Sequence, residues 1–156
     1  FSAQKNVTFK ILDGEFPDLM SHYDLIVSSM TLQWFSDPVK ALLRQQNFLR
    51  EDGRLCYATL GPQGLREWQD VLETGNLPSG LVQVPSLPGI FHEEFIPVTY
   101  ENGLDFLRQI KAIGADSPRD GYAAMSPGQL KQALEIFDSR ADSTVTWHIV
   151  YGQLER

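Results

Sequence analysis

The chain has 156 residues, of which 42% are hydrophobic and 21% charged, a balance that allows one globular domain and excludes a disordered protein. Its 13 Lys and Arg residues against 20 Asp and Glu residues give a formal net charge of -7. Nucleic-acid binding needs a cationic surface, so no nucleic-acid partner is expected. No apolar run reaches membrane-spanning length and no signal-peptide pattern opens the sequence, so we expect no membrane contact and a cytoplasmic location.

Two strands are predicted near the start of the chain. Val7–Leu12 is a run of β-branched and aromatic residues that ends at Asp13-Gly14, the pattern of a strand followed by a turn. Tyr23–Ser29 is apolar at its centre without alternation. Such continuity is typical of a strand covered on both faces, as in a parallel sheet.

A helix and a third strand follow. Asp37 can cap the helix and Pro38 can take its first position, and the apolar spacing predicts that it runs to about Glu51, closed by Gly53. Leu55–Leu60 then predicts a strand. Strand, helix and strand joined by short turns form a βαβ unit, so the two strands should be parallel neighbours.

The second half of the chain predicts three helices, two strands and an irregular segment. In chain order these are a helix with Leu65, Trp68 and Leu72, irregular residues 77–89, an edge strand Phe95–Tyr100 limited by Pro97, a helix from Asn102 to Gly114, a helix beginning at Ser126-Pro127, and a final strand Thr144–Leu154. The pattern as a whole is that of an α/β protein with a helical insertion.

The metal-binding and nucleophilic residue types form no recognisable centre. His22, His92 and His148 are isolated, with no HxxxH or CxxC spacing. The single cysteine, Cys56, lies in an apolar run, which predicts a buried and unreactive side chain. No metal ligand and no catalytic nucleophile or base is therefore assigned.

Polar residues follow two of the predicted strands, at the sheet edge where ligands collect in α/β proteins. Asp13 can accept a hydrogen bond from an exocyclic amine such as that of adenine, with Gly14 allowing close approach, or it can be an ordinary turn aspartate. Ser28-Ser29-Met30 leave the next strand with hydroxyl and backbone groups available. Trp34 can form a wall of a pocket or be an ordinary core residue.

These residues carry a resemblance to a known family. Tyr23–Trp34, YDLIVSSMTLQW, resembles the fourth strand and following loop of class I S-adenosylmethionine-dependent methyltransferases. Its serine pair and Gln-Trp ending are most similar to those of the biotin-pathway malonyl-[acyl-carrier protein] O-methyltransferases, the BioC family. Leu107–Asp116 (LRQIKAIGAD), Ser126–Leu130 (SPGQL) and Thr146–Leu154 (TWHIVYGQL) are similar to the C-terminal part of that family.

The resemblance implies a partial Rossmann-like sheet, mostly parallel with an antiparallel last strand, and a helical insertion. Residues 1–156 would be the C-terminal part of a single methyltransferase domain, with a substrate-side insertion within residues 77–143. The family's glycine-rich cofactor loop and first two strands would be missing. Tyr23–Ser29 would then be an exposed sheet edge, open to self-association.

The resemblance also implies the cofactor and the methyl acceptor. S-adenosylmethionine would be held by Asp13 and Gly14 at the adenine and by Ser28-Ser29-Met30 near the methyl donor. The acceptor would be the free carboxylate of a malonyl group on acyl carrier protein, in biotin synthesis. Because the glycine-rich loop supplies most cofactor contacts in the family, this chain alone is expected to be inactive.

A carboxylate needs a cation to orient it rather than a general base. Arg108 and Lys111 lie three residues apart on one predicted helix, so they project from one side and can bind the acid together with Trp34. Both can equally be solvated surface charges. Two other functions stay open: methylation of a different small molecule, or a non-catalytic interaction module.

Overall fold

Four strands, four α-helices and one 3₁₀ helix make up the part of the chain described by a computed structural model, residues 6–113 and 121–156. In chain order they are β1 (Tyr23–Ser29), the 3₁₀ helix η1 (Leu32–Trp34), α1 (Pro38–Gln46), β2 (Leu49–Leu60), α2 (Arg66–Thr74), β3 (Ile90–Thr99), α3 (Gly103–Ala112), α4 (Pro127–Asp138) and β4 (Thr144–Glu155). None of these helices combines the length and apolarity needed to cross a bilayer.

The strands form one mixed sheet in the order β1-β2-β4-β3. β1 and β2 are parallel, with α1 between them in sequence, so the predicted βαβ unit is confirmed. β4 is antiparallel to both β2 and β3, which confirms the prediction for the last strand. The expectation of a mostly parallel sheet is wrong for the described residues. β4 inserts between β2 and β3 and runs opposite to both, so two of the three pairings are antiparallel.

The predicted first strand is absent. Residues 7–12 have no regular secondary structure, and Ile11 is fully exposed. A strand needs a neighbouring strand to form hydrogen bonds with its backbone N–H and C=O groups. The sheet ends at β1, and residues 7–12 do not pair with β1. Its β-branched composition indicates a strand, but composition does not supply the pairing.

The helix after Pro38 is shorter than predicted. Asp37 caps it as expected, its Oδ1 accepting the Lys40 N–H at 2.9 Å, but α1 ends at Gln46 and β2 begins at Leu49. Leu49 is fully buried as a strand residue, and Gly53 lies inside β2 rather than at a helix end. Burial of Leu49 between the sheet and α1 therefore overrides the helical spacing.

Two apolar clusters hold the helices to the sheet. The first lies under η1 and α1 and consists of Leu32, Leu42, Leu49, Leu55, Tyr57, Leu87 and Val150. The second joins α2, α3 and α4 to the start of β4 and consists of Trp68, Val71, Leu72, Tyr100, Phe106, Ala133, Phe137 and Val145. The predicted caps Asn102 and Ser126 both accept backbone N–H groups, whereas the predicted stop at Gly114 lies outside the described residues.

One face of β1 is open, contrary to the expectation that helices cover both. Ile26 packs against the first cluster, while Leu25 and Val27 are 56% and 67% exposed. Cys56, paired with Val27 in β2, is partly exposed for the same reason, so its predicted burial is wrong. β1 is an edge strand, as predicted, and β3, which contains Pro97, is the other edge.

Candidate functional site

The carboxyl ends of β1 and β2 lie side by side because the two strands are parallel. Ser29 pairs with Ala58, and the N–H of Met30 donates to the carbonyl of Ala58 at 2.8 Å. Ser28 is half-buried, whereas Ser29 and Met30 are exposed. Met30 has a φ of 49°, the left-handed region that costs a non-glycine residue roughly 1–2 kcal/mol. This strained turn takes the chain away from the sheet at the point where the sequence predicts a ligand.

The turn after Met30 is held by a small hydrogen-bond network. The Gln33 side chain donates from Nε2 to the Met30 carbonyl at 2.8 Å and accepts at Oε1 from the Thr59 hydroxyl at 2.9 Å. The Thr31 hydroxyl donates to the Ser29 carbonyl at 2.9 Å. Because Thr59 lies in β2 and is 1% exposed, the network fastens η1 to the buried part of the sheet.

η1 places its side chains in two directions. Leu32 is 1% exposed and belongs to the first apolar cluster. Trp34 is 51% exposed, so it is not a core tryptophan. The indole ring is presented to solvent, and its predicted roles as a pocket wall and as a substrate contact stay predictions.

A buried glutamate links the N-terminal segment to α1. Glu15 is 8% exposed and accepts hydrogen bonds from the Ser36 hydroxyl at 2.7 Å, the Ser36 N–H at 3.0 Å and the Asp37 N–H at 2.9 Å. The Ser36 hydroxyl and these backbone donors hold the pKa of Glu15 below its ordinary value despite its burial. Sequence reasoning missed this residue. The signal that points to it is an acidic residue near a helix start whose first N–H groups need acceptors.

The Asp13-Gly14 turn is thereby fixed beside the end of η1. Asp13 is exposed, and its Oδ1 accepts the Glu15 N–H at 2.8 Å, while the Gly14 carbonyl accepts from Gln45 Nε2 at 2.9 Å. A Cβ on Gly14 would lie 3.1 Å from Cζ of Phe35, so a larger residue would press on that ring. The turn is therefore held by Glu15 and Gln45 and lies against Phe35, which directly follows η1; the role of Asp13 in cofactor binding stays a prediction.

Arg108 and Lys111 lie elsewhere. Both are exposed on α3, which packs through Phe106 against Trp68 and Phe137, with ring centroids 5.4 and 5.7 Å apart. α3 thus belongs to the second apolar cluster, not to the one under the strand ends. The two cations share a helix as predicted, and their role in orienting a carboxylate stays a prediction.

A cleft of about 350 Å³ opens next to η1. The start of α1 forms one wall and residues 82–87 form the other, with Thr59 between them. This second wall is held to the sheet by Leu87, which is 6% exposed, and by the Tyr57 hydroxyl, which donates to the Pro88 carbonyl at 2.6 Å. Burial raises the pKa of Tyr57 to about 12, so the hydroxyl keeps its proton. Sequence reasoning described 77–89 as irregular and placed it within the span 77–143 of the substrate-side insertion, but it named no residue there; the alternating Val82 and Val84 are the signal that it missed.

A buried histidine forms a separate polar cluster. His148 is 1% exposed, its Nδ1 accepts the Gln63 N–H at 3.1 Å, and its Nε2 lies 2.9 Å from Glu93 Oε2. Since Nδ1 accepts, Nε2 carries the proton and donates to Glu93. Both ring nitrogens are therefore used within the fold. Among residues 6–113 and 121–156, no three His, Cys, Asp or Glu side chains come together as a metal site would require.

Comparison with known proteins relates this arrangement to a family. No protein-family model matches the sequence. A malonyl-[acyl-carrier protein] O-methyltransferase of Magnetococcus marinus is 32% identical, over 92% of this chain and 58% of the relative. The biotin biosynthesis bifunctional protein BioCD of Bordetella avium is 36% identical, over 91% of this chain and 32% of the relative.

A solved structure shares the fold. The YcgJ protein of Bacillus subtilis superposes with a TM-score of 0.59 at 16% identity, over 97% of this chain and 72% of that one. The chain spans 58% and 32% of the lengths of the two curated relatives. The similarity to both runs through β1, η1 and the helices that follow, since it covers more than nine-tenths of the chain. The chain is therefore a homologue of malonyl-[acyl-carrier protein] O-methyltransferases, which it matches over nine-tenths of its own length.

Proposed function

We propose that residues 1–156 form the C-terminal part of a single methyltransferase domain, with the substrate-side insertion within residues 77–143. The complete domain transfers a methyl group from S-adenosylmethionine to the free carboxylate of a malonyl group on acyl carrier protein, in biotin synthesis. The observation that carries this proposal is the 32% identity to a malonyl-[acyl-carrier protein] O-methyltransferase over 92% of the chain. The open edge of β1 supports it, because further strands of the domain can pair there.

The residues at the strand ends fit one side of such a cofactor. Ser29 and Met30 are exposed where the chain leaves β1, and the Gln33 network keeps that turn in place. Gly14 lies close to Phe35, which directly follows η1, and the exposed Asp13 carboxylate is next to it in the chain. A bound S-adenosylmethionine would supply the activated methyl group there.

The proposed reaction requires no proton transfer by a protein side chain. Bound S-adenosylmethionine would supply a methyl group for a carboxylate oxygen to take, and its sulfonium would leave as a neutral thioether. The acid is already ionised at neutral pH, so no general base is needed. The protein has to align oxygen, carbon and sulfur and exclude water. Arg108 or Lys111 would orient the carboxylate, and Trp34 would shield the reacting atoms from solvent.

Steady-state kinetics tests the acceptor. We join these residues to the cofactor-binding part of the Magnetococcus relative and assay malonyl- and acetyl-[acyl-carrier protein] in parallel. Only the malonyl form should be methylated, and Arg108→Ala should slow turnover by roughly ten- to a hundred-fold, the effect of losing one charge-assisted hydrogen bond of about 1.5–3 kcal/mol. Lys131→Ala, an exposed lysine on α4, is the control and should have no effect.

Two results would contradict the assignment. Full activity in both Arg108→Ala and Lys111→Ala would remove these residues from the site. If the enzyme methylates another small molecule but no malonyl thioester, it is still a methyltransferase, and the proposed acceptor is rejected.

The chain alone should bind S-adenosylmethionine weakly or not at all by calorimetry; micromolar binding would show that the main cofactor contacts lie within residues 1–156.

A further inference from the structure

The cleft beside η1 has no role in the reaction proposed above. It shares Leu32 and Gln33 with the turn at the end of β1, so it is continuous with the candidate site. Its volume of about 350 Å³ lies at the lower end of the range for small-molecule sites. A space of this volume can hold one small molecule or one short chain.

Most of the polar side chains around the cleft already have partners: those of Gln33, Ser36, Asp37 and Thr59 are hydrogen-bonded, and Gln83 is the exception among the described lining residues. Gln33 is bonded at both ends of its amide, to the Met30 carbonyl and the Thr59 hydroxyl. The Ser36 hydroxyl donates to Glu15 at 2.7 Å, and Asp37 accepts from the Lys40 N–H at 2.9 Å. A ligand therefore meets few free polar side chains here. The remaining lining side chains are mainly apolar: Leu32, Phe35, Pro38, Val39, Val82, Val84, Pro85 and Leu87.

The charge of the lining selects against anions. Among residues 6–113 and 121–156, Asp37 is the one charged residue that lines the cleft, and no Lys or Arg does. Lys40, the nearest cation along α1, is paired with Asp37 at 2.8 Å. A carboxylate placed in this cleft would lose its water, gain no cation and face Asp37, so a neutral chain is the favoured occupant.

We propose that the cleft binds the neutral acyl-thioester arm of the methyl acceptor, an extended chain of amides and methylenes of the pantetheine type. The ionised end of the acceptor stays outside the cleft, on the side of Met30. This inference rests on the proposed function for the identity of the acceptor. It adds the subsite: residues 82–87 form the wall against which the arm packs.

Binding to the 156-residue chain tests the subsite without cofactor or turnover. The probe is S-acetylpantetheine, which is neutral, and calorimetry measures its affinity. Val82, 56% exposed on the cleft wall, is changed to Asp. Val7→Asp is the matched control, because Val7 is 50% exposed and lies outside the cleft. We expect Val82→Asp to weaken binding by about tenfold, since it replaces apolar contact with a charge, and Val7→Asp to leave it unchanged.

Methyl NMR of the unmodified chain keeps the test independent of any folding defect in the variant. Addition of S-acetylpantetheine should shift the methyl signals of Val82, Val84 and Leu87. Shifts confined to other methyl groups, no measurable binding, or equal affinity in Val82→Asp and Val7→Asp would overturn the subsite. If these shifts appear but the complete enzyme does not methylate malonyl thioesters, the subsite stands and the assigned acceptor fails.

Discussion

The hydrogen bond from Thr59 to Gln33 makes a sharp test of how the candidate site is held in place. Thr59 is 1% exposed in β2, and its hydroxyl donates to Gln33 Oε1 at 2.9 Å. Thr59→Val keeps the shape of the side chain and removes the donor. The amide of Gln33 then keeps only its bond to the Met30 carbonyl.

The expected cost follows from the burial of the two groups. Losing a neutral hydrogen bond and leaving a half-buried acceptor without its donor costs about 1–2 kcal/mol. For a domain of 156 residues, each kcal/mol lowers the melting temperature by about 2–4 °C, so Thr59→Val should lower it by about 2–8 °C. Thr99→Val is the control, because its hydroxyl is paired with Thr144 at the exposed edge of the sheet. It should cost less than about 0.5 kcal/mol.

A double-mutant cycle in urea shows whether the two residues act together. Thr59→Val, Gln33→Leu and the double variant are unfolded while circular dichroism is recorded. If the hydrogen bond fastens η1 to the sheet, the coupling free energy should be about 0.5–1.5 kcal/mol. Strictly additive losses would refute the reasoning, because they would mean that the two side chains contribute independently.

Two further predictions address the N-terminal segment and the open edge. Because the pKa of Glu15 is lowered in the folded chain, its contribution to stability is present above the ordinary value of 4.5 and lost as the pH falls through the folded pKa. The difference in urea midpoint between the wild type and Glu15→Gln should therefore be largest at neutral pH and shrink in acid; a pH-independent difference would contradict it. Val27→Lys should reduce any concentration-dependent self-association seen by sedimentation, because it places a charge on the edge strand β1, whereas Leu43→Lys on α1 should not. Equal association in both variants would exclude this edge.

Local signals predicted most of the elements correctly. The caps Asp37, Asn102 and Ser126 begin helices as expected, because a capping side chain acts on N–H groups within three residues of itself. Tyr23–Ser29 is a strand with the predicted bounds, and its parallel pairing follows from the helix between it and the next strand. The serine pair and Met30 therefore fall at a strand end, where the sequence placed them.

The sequence-based predictions are wrong where strand pairing or packing between layers determines the structure. Val7–Leu12 has the composition of a strand but no neighbouring strand in the sheet. The apolar spacing predicts that Leu49 is helical, but it is a buried residue of β2. The partial exposure of Cys56 has the same origin. A residue in an apolar run is buried only if another layer covers it, and the spacing within the run carries no information about that layer.

The sequence by itself determined the resemblance to the methyltransferases, the order of most elements and the strand end at which the candidate site lies. Only the tertiary structure decided which residues hold that site together. Glu15 meets Ser36 and Asp37 across more than 20 positions of chain, and Thr59 reaches Gln33 across 26. Contacts at such separations depend on how the sheet and α1 pack, because nothing in the local sequence selects one distant partner among many possible ones.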